Sequence, residues 1–337
     1  MEIKKEQFSG CLIGQCLGDG LGFPVEGHPP NICRQYVTDI LKKGRAREKG
    51  RNPFPFGQYT DDSQLARELL QSYVACKKFD PADYAARIAA IFSENRIVGR
   101  GRATEEAATR LIQGKPWEES GTPPPSAGNG SAMRAGPVGL LFFDDPQLLI
   151  QAASDQGRIT HQDKRCSAGA VAIAGAVALA LEKNKMNVPI FLTQLSELAE
   201  PVNNSVAASI RQLTKWVLLP PEKAVTFISR AGLSPDFSDG WQGISPFVTC
   251  SVLWSLYSFL RTPDDYWETI CTAIAVGGDV DTTAAMAGAV SGAYLGLKAI
   301  PSHLAKLLSD QGTWGFHELV ELTEEAYKIK AHKKSQF

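Results

Sequence analysis

The chain has 337 residues, and its 35 lysines and arginines nearly balance 36 aspartates and glutamates, for a formal charge of −1. That balance excludes a whole-molecule field that would draw the protein to nucleic acid or to an anionic membrane, so a small partner is expected. The seven cysteines (Cys11, Cys16, Cys33, Cys76, Cys166, Cys250 and Cys271) are odd in number and never spaced as CxxC, which argues against a disulfide framework or a zinc ribbon and for a reduced, cytoplasmic setting.

From the N-terminus, GCLIGQCLGDGLG places Gly10, Gly14, Gly18 and Gly22 four residues apart, a side-chain-free stripe on one helical face. Residues 23 to 59 are rich in Gly, Pro and basic side chains and read as a loop; its cluster KKGRAREKGR (Lys42 to Arg51) reads as a solvated surface. After YTDDSQ the segment LARELLQSYVA has an amphipathic helical pattern. Asp80-Pro81 then opens PADYAARIAAIF, with a capping side chain before a proline at the first helical position. A second irregular stretch covers residues 115 to 130, containing PPP and GNG. The most apolar run, Ala168 to Leu181, is shorter than the roughly 20 residues of a membrane span and predicts a buried core helix. Ser245-Pro246 and Thr262-Pro263 repeat the capping pattern before further helices. Gly288, Gly292 and Gly296 form a second small-residue stripe, and close approach of the two stripes would offset the helical cost of glycine, about 1 kcal/mol each. The chain therefore reads as a single all-α domain, residues 1–337: a compact multi-helix bundle with these two helices at its centre.

Two acidic clusters sit at predicted helix starts: Thr60-Asp61-Asp62-Ser63, and Asp279-Val280-Asp281-Thr282 after the Gly277-Gly278 pair. Capping needs one oxygen side chain, whereas each cluster offers two carboxylates and neighbouring hydroxyls. Four carboxylates held together repel unless positive charge lies among them. All the donors are oxygen, so a hard cation, Mg²⁺ or Mn²⁺, is indicated, with enough ligands for two ions. Asp279 and Asp281 do not share a helix face and so must lie in the turn that the glycine pair permits.

Five ordered motifs, GCLIGQCLGDGLGFPVEG, YTDDSQLA, GNGSAMRAGPVG, ITHQDKRCSAGAVAIAGAVALAL and GGDVDTTAAMAGAVSGAYLG, resemble the ADP-ribosylglycohydrolase family over nearly the whole chain. The resemblance implies an all-α fold with a two-metal cleft at helix N-termini that removes ADP-ribose from a modified acceptor. It implies Thr60, Asp61 and Asp62 as one ligand group and Asp279, Asp281 and Thr282 as the other. It matches Glu26 to a loop glutamate that approaches metal or substrate, alongside the plainer reading of a surface carboxylate. Ser126, Gly128, Asn129, Gly130 and Ser131 match a substrate loop contacting the diphosphate and distal ribose, although Asn-Gly is also a common turn. His161 matches a histidine lining the ADP-ribose cleft, alongside a structural reading; Arg134 and Asp19 read as packing or ion-pair residues. Two departures concern recognition: Ala127 stands where some members carry an adenine-stacking aromatic, and RIVGRGRAT (Arg96 to Thr104) lacks the acid of arginine-directed members.

The expected reaction is hydrolysis at the anomeric carbon of the distal ribose, through an oxocarbenium-like state. Asp61, Asp62 or Glu26 would orient water or move its proton. The expected partners are ADP-ribose and an ADP-ribosylated substrate, with no membrane and no general nucleic-acid surface, and a monomer is compatible with the sequence. A Mg²⁺-dependent phosphoesterase acting on a nucleotide and a non-catalytic ADP-ribose-binding protein are the alternatives.

Overall fold

The computed structural model describes residues 4–182, 185–234 and 236–334. Among them are seventeen α-helices and no strand, only isolated bridges, and no helix is long and apolar enough to cross a membrane.

The first helix (Lys5–Gly22) and the helix Val280–Leu295 form the centre, and the glycine stripes explain how closely they lie. A Cβ at Gly10 would sit 2.2 Å from the Gly292 carbonyl oxygen, at Gly14 2.4 Å from that of Gly288, and at Gly18 2.2 Å from that of Ala284. The pairing numbers fall on one helix as they rise on the other, so the two run antiparallel, backbone against backbone. Gly296 is the C-cap of its helix at φ +82°, where glycine tolerates a left-handed conformation, and it still lies against Gly10, where a Cβ would be 2.9 Å from the Gly296 Cα. Gly288→Ala would place a methyl 2.2 Å from the Gly14 oxygen; the helices must part, and a loss of about 1–3 kcal/mol is expected in urea denaturation.

Around this pair, the predicted core helix is Lys164–Ala180, buried from Cys166 to Ala178. The helix Asp61–Cys76 is buried on nearly every side from Asp61 to Leu70, polar residues included, rather than presenting the wet face that an amphipathic pattern predicts. Its polar side chains are matched internally: Arg67, with no exposed surface, pairs with Asp310 at 2.6 Å and Glu68 at 2.9 Å.

Capping follows prediction at Asp80, whose side chain accepts the N–H groups of Ala82 and Asp83. It differs at the other two sites. The helix Tyr266–Ala275 starts after Asp265, not at Pro263, and Val248–Arg261 starts two residues beyond Pro246. Asp265 takes the capping role because its carboxylate reaches the Glu268 N–H. The stretch 23–59 contains short helical pieces at Phe23–Val25, Pro30–Tyr36, Val37–Leu41 and Ala46–Glu48, each too short to leave a periodic apolar signature. In its basic cluster Lys42 meets Glu268 at 3.0 Å and Lys43 meets Asp39 at 2.7 Å, both pairs exposed, so the cluster is a locally neutralised surface.

Candidate active site

The two acidic clusters lie at the N-termini of the helices Asp61–Cys76 and Val280–Leu295, and neither cluster caps its own helix. For the 61–76 helix that task falls to Asp19 of the first helix. Fully buried, Asp19 accepts the N–H groups of Thr60 and Ser63 and the Ser63 hydroxyl at 2.7 Å. This carboxylate supplied from another helix satisfies the orphan donors of the first turn. Asp61 and Asp62 are thereby released from capping, and the Oδ1 atom of Asp62 is buried with no hydrogen-bond partner. The Thr60 hydroxyl stands 3.0 Å from both Asp19 and Asp62, between this support and a carboxylate that lines the cleft.

The second cluster is set by the predicted turn. Gly277 and Gly278 adopt φ +76° and +88°, and a Cβ at Gly278 would lie 2.1 Å from the Ile244 oxygen, so only glycine fits. The turn is tied to the segment carrying Glu26: Gly27 N–H donates to the Gly278 oxygen (2.8 Å) and Gly278 N–H to the His28 oxygen (2.9 Å). Glu26, Asp279 and Asp281 consequently offer carboxylate oxygens within 4.8 Å of one another. Glu26 also pairs with Arg51.

Asp61, Asp62, Asp279, Asp281, Thr282 and Glu26 all line one cleft of about 490 Å³, together with Ser126, Gly128, Asn129, Gly130 and His161. Acidic groups more than two hundred positions apart thus meet. Asn129 donates to Asp279 Oδ2 at 2.5 Å and to Ser251 at 3.0 Å, so it holds a carboxylate as well as facing the cleft. Ser131 turns away: its hydroxyl donates to the Cys166 carbonyl at 3.0 Å, fully buried. Gly130 has a steric reason, since a Cβ there would lie 2.7 Å from the His161 ring. Arg134 is a packing residue, buried without a carboxylate, its guanidinium bonded to Gln156 and Thr160 and lying over the Tyr84 ring.

Sequence reasoning missed Arg100, Arg102, Thr104, Met133 and Trp241, which also line the cleft. The run Gly99–Thr104 passes along it because Gly99, at φ +72°, brings the chain against Asp61, where a Cβ would lie 3.0 Å from its Oδ1. Trp241 comes from a glycine-flanked loop and is 38% exposed; a tryptophan between Gly240 and Gly243 is the one signal that could have drawn notice.

The electrostatics are those of crowded buried acids. Burial, then neighbouring carboxylates, pushes Asp61, Asp62 and Asp281 well above the usual carboxylate range. Asp279 rises to about 6, by burial and then Glu26. A cluster of this kind, all oxygen and with an unpartnered Asp62 atom, fits a divalent cation. A raised acid pKa stabilises the fold fully below the unfolded value near 4 and loses that contribution as pH rises through the folded value. With chelator present, the melting temperature should therefore fall as pH rises from about 4 through about 6. Mg²⁺ or Mn²⁺ should raise it more at pH 7.5 than at pH 5; an equal rise at both would separate the cluster from cation binding.

Against this geometry stand the known proteins. The family model described as ADP-ribosylglycohydrolase matches residues 1–335. The chain belongs to the ADP-ribosylglycohydrolase family. As a member it is a hydrolase acting on glycosidic bonds. It is 30% identical to the ADP-ribosylhydrolase ARH3 of Xenopus tropicalis over 341 residues, covering 93% of this chain and 95% of that one. With ADP-ribosylhydrolase ARH3 of Homo sapiens the identity is 28%, covering 96% and 93%. A solved structure titled ADP-ribosylglycohydrolase-related protein complex superposes with a TM-score of 0.71 at 24% identity, covering 98% of this chain and all of that one, a likeness of fold.

Proposed function

We propose that the protein hydrolyses the bond at the anomeric carbon of the distal ribose, releasing ADP-ribose from a modified acceptor in a divalent-cation-dependent reaction, with Mg²⁺ or Mn²⁺ as the ion. The observation that carries this reading is the meeting of Asp61, Asp62, Asp279, Asp281 and Glu26 in one cleft. Asp61, Asp62, Asp279, Asp281 and Thr282 would hold two cations, with Thr60 steadying Asp62. When bound, such ions polarise substrate oxygens and lower the pKa of water. Glu26, at the cleft edge and held by Arg51, is placed to orient the attacking water or take its proton, with Asp61 or Asp62 as the other base. The Gly128–Gly130 backbone and Ser126 form the wall that receives the diphosphate.

Two features refine the substrate. Ala127 offers no stacking face, and Trp241 supplies an aromatic surface in the same cleft from a different loop. Base–aromatic stacking is worth roughly 1–3 kcal/mol, so Trp241→Ala should weaken ADP-ribose binding about tenfold or more in calorimetry, with little change in kcat. On the acceptor, the run 96–104 brings Arg100 and Arg102 to the cleft and no carboxylate, so it offers a guanidinium leaving group no counter-charge. A serine-linked acceptor suits this wall better than an arginine-linked one.

Defined serine-linked, arginine-linked and base-linked ADP-ribosylated substrates, assayed with Mg²⁺, Mn²⁺ and chelator, test the reading. Free ADP-ribose appearing only with the cation supports it. AMP or inorganic phosphate as product, or no release from any substrate, removes it.

A further inference from the structure

His161 sits in the cleft wall, and what it presents to a ligand depends on which ring nitrogen carries the proton. The surrounding hydrogen bonds decide this. The Thr160 hydroxyl lies 2.8 Å from His161 Nδ1 and also 2.8 Å from Arg134 Nη2. A guanidinium has donors only, so the Arg134 contact uses a lone pair of the Thr160 oxygen and leaves its single proton to be placed. Nδ1 is the one acceptor within reach of that proton among the described residues, and an unmatched buried hydroxyl is costly. The hydroxyl therefore donates to Nδ1, and the neutral ring carries its proton on Nε2.

The Arg134 end of this hydrogen-bond series is anchored in the core. Arg134 is fully buried, its Nε and Nη2 donate to the side chain and carbonyl of Gln156 at 2.9 and 2.8 Å, and Gln156 Nε2 in turn donates to the Ser131 carbonyl at 2.8 Å. The ring is also clamped sterically, because Gly128 and Gly130 are the residues that leave room for it. Nε2 itself makes no hydrogen bond to protein among the described residues, and His161 borders the cleft.

We propose that Arg134 and Thr160 are positioning residues, which lock His161 in the Nε2–H form so that it offers one fixed, uncharged donor to an oxygen of the bound ligand. Burial, helped by the nearby Arg134 charge, depresses the His161 pKa to about 3, in keeping with a ring that stays neutral. The role as a donor to ADP-ribose rests on the function proposed above; the tautomer does not.

The test uses the full chain with ¹⁵N-labelled histidine. The side-chain spectrum of wild-type protein should show His161 protonated at Nε2 and bare at Nδ1, assigned by its loss in His161→Gln. Thr160→Ser keeps the hydroxyl and should keep both the spectrum and the ADP-ribose affinity. Thr160→Val removes the hydroxyl, so the ring should lose its single-tautomer signature and ADP-ribose affinity should fall about tenfold, the scale of one misplaced hydrogen bond. A wild-type ring protonated at Nδ1 would overturn the proposal, as would wild-type affinity in folded Thr160→Val. Should Thr160→Val not fold, the wild-type and Thr160→Ser spectra still decide the tautomer. Wild-type protein showing the Nε2–H signature but no affinity for ADP-ribose would instead count against the proposed function.

Discussion

Asp281→Ala is expected to abolish cation-dependent release of ADP-ribose while leaving the protein folded. Asp281 is buried, lines the cleft, and lies with Glu26 and Asp279 in the tight carboxylate group. It accepts the Thr282 N–H at 2.9 Å and meets the neighbouring Asp279, both local contacts, so little of the scaffold depends on it. A cation ligand contributes several kcal/mol of charge stabilisation to the reaction, which at about 1.4 kcal/mol per decade amounts to roughly a thousandfold or more in kcat/KM. The stability effect should have the opposite sign. Removing one carboxylate from a repelling, buried group relieves the fold, so in chelator the variant should melt at or above the wild-type temperature, and Mg²⁺ should raise that temperature less. Turnover near wild type in Mg²⁺ would take Asp281 out of the site.

Asp310→Ala should be strongly destabilising. Asp310 Oδ2 pairs with Arg67 at 2.6 Å, and its Oδ1 accepts from Gln64 at 2.8 Å. The Arg67 guanidinium has no exposed surface and lies over the Trp314 ring. Cutting one partner from a buried ion pair costs about 3–5 kcal/mol; because Arg67 keeps Glu68 at 2.9 Å, a loss at the lower end, about 3 kcal/mol, is expected in urea denaturation. The loss should also reach the site. Gln64 Oε1 accepts the Val98 N–H, and the Val98 carbonyl accepts the Asp61 N–H at 2.7 Å, so Asp310 supports the start of the helix that carries Asp61 and Asp62. Activity is therefore expected to fall even at temperatures where the variant stays folded, and Asp310→Asn, which keeps the shape, should recover part of it. Unchanged stability in the alanine variant would mean that Glu68 alone suffices as the counter-charge of Arg67.

Much of this was legible in the residues because it rests on local rules. Glycines every fourth position are tolerated in a helix only where something packs closely, and the stripe at Gly10, Gly14 and Gly18 does face Gly292, Gly288 and Ala284. Surplus carboxylates at a helix start signal more than capping, and paired glycines before Asp279 signal a left-handed turn; both features are found. Other expectations failed because their causes lie elsewhere in the chain. Amphipathicity misjudged the 61–76 helix, since its polar residues Gln64 and Arg67 are matched by Asp310 and, within the helix, Arg67 by Glu68. The cap of that helix comes from Asp19, forty-odd residues earlier, which no local pattern announces. The Ser131 hydroxyl has the right chemistry for a site but is turned to an internal partner.

The sequence by itself determined the helical class, the central glycine-faced pair, and which oxygen-bearing residues were available for cation chemistry, because helix period, glycine steric freedom and charge are properties of neighbouring residues. Only the tertiary structure decided that Glu26 joins Asp279 and Asp281 through the hydrogen bonds between Gly27, His28 and Gly278. It alone brought Trp241 and Arg100 to the cleft, and set the Thr160 hydroxyl between Arg134 and His161. Those relations depend on where separate segments meet in space, which is settled by packing and by the pairing of buried polar groups rather than by spacing along the chain.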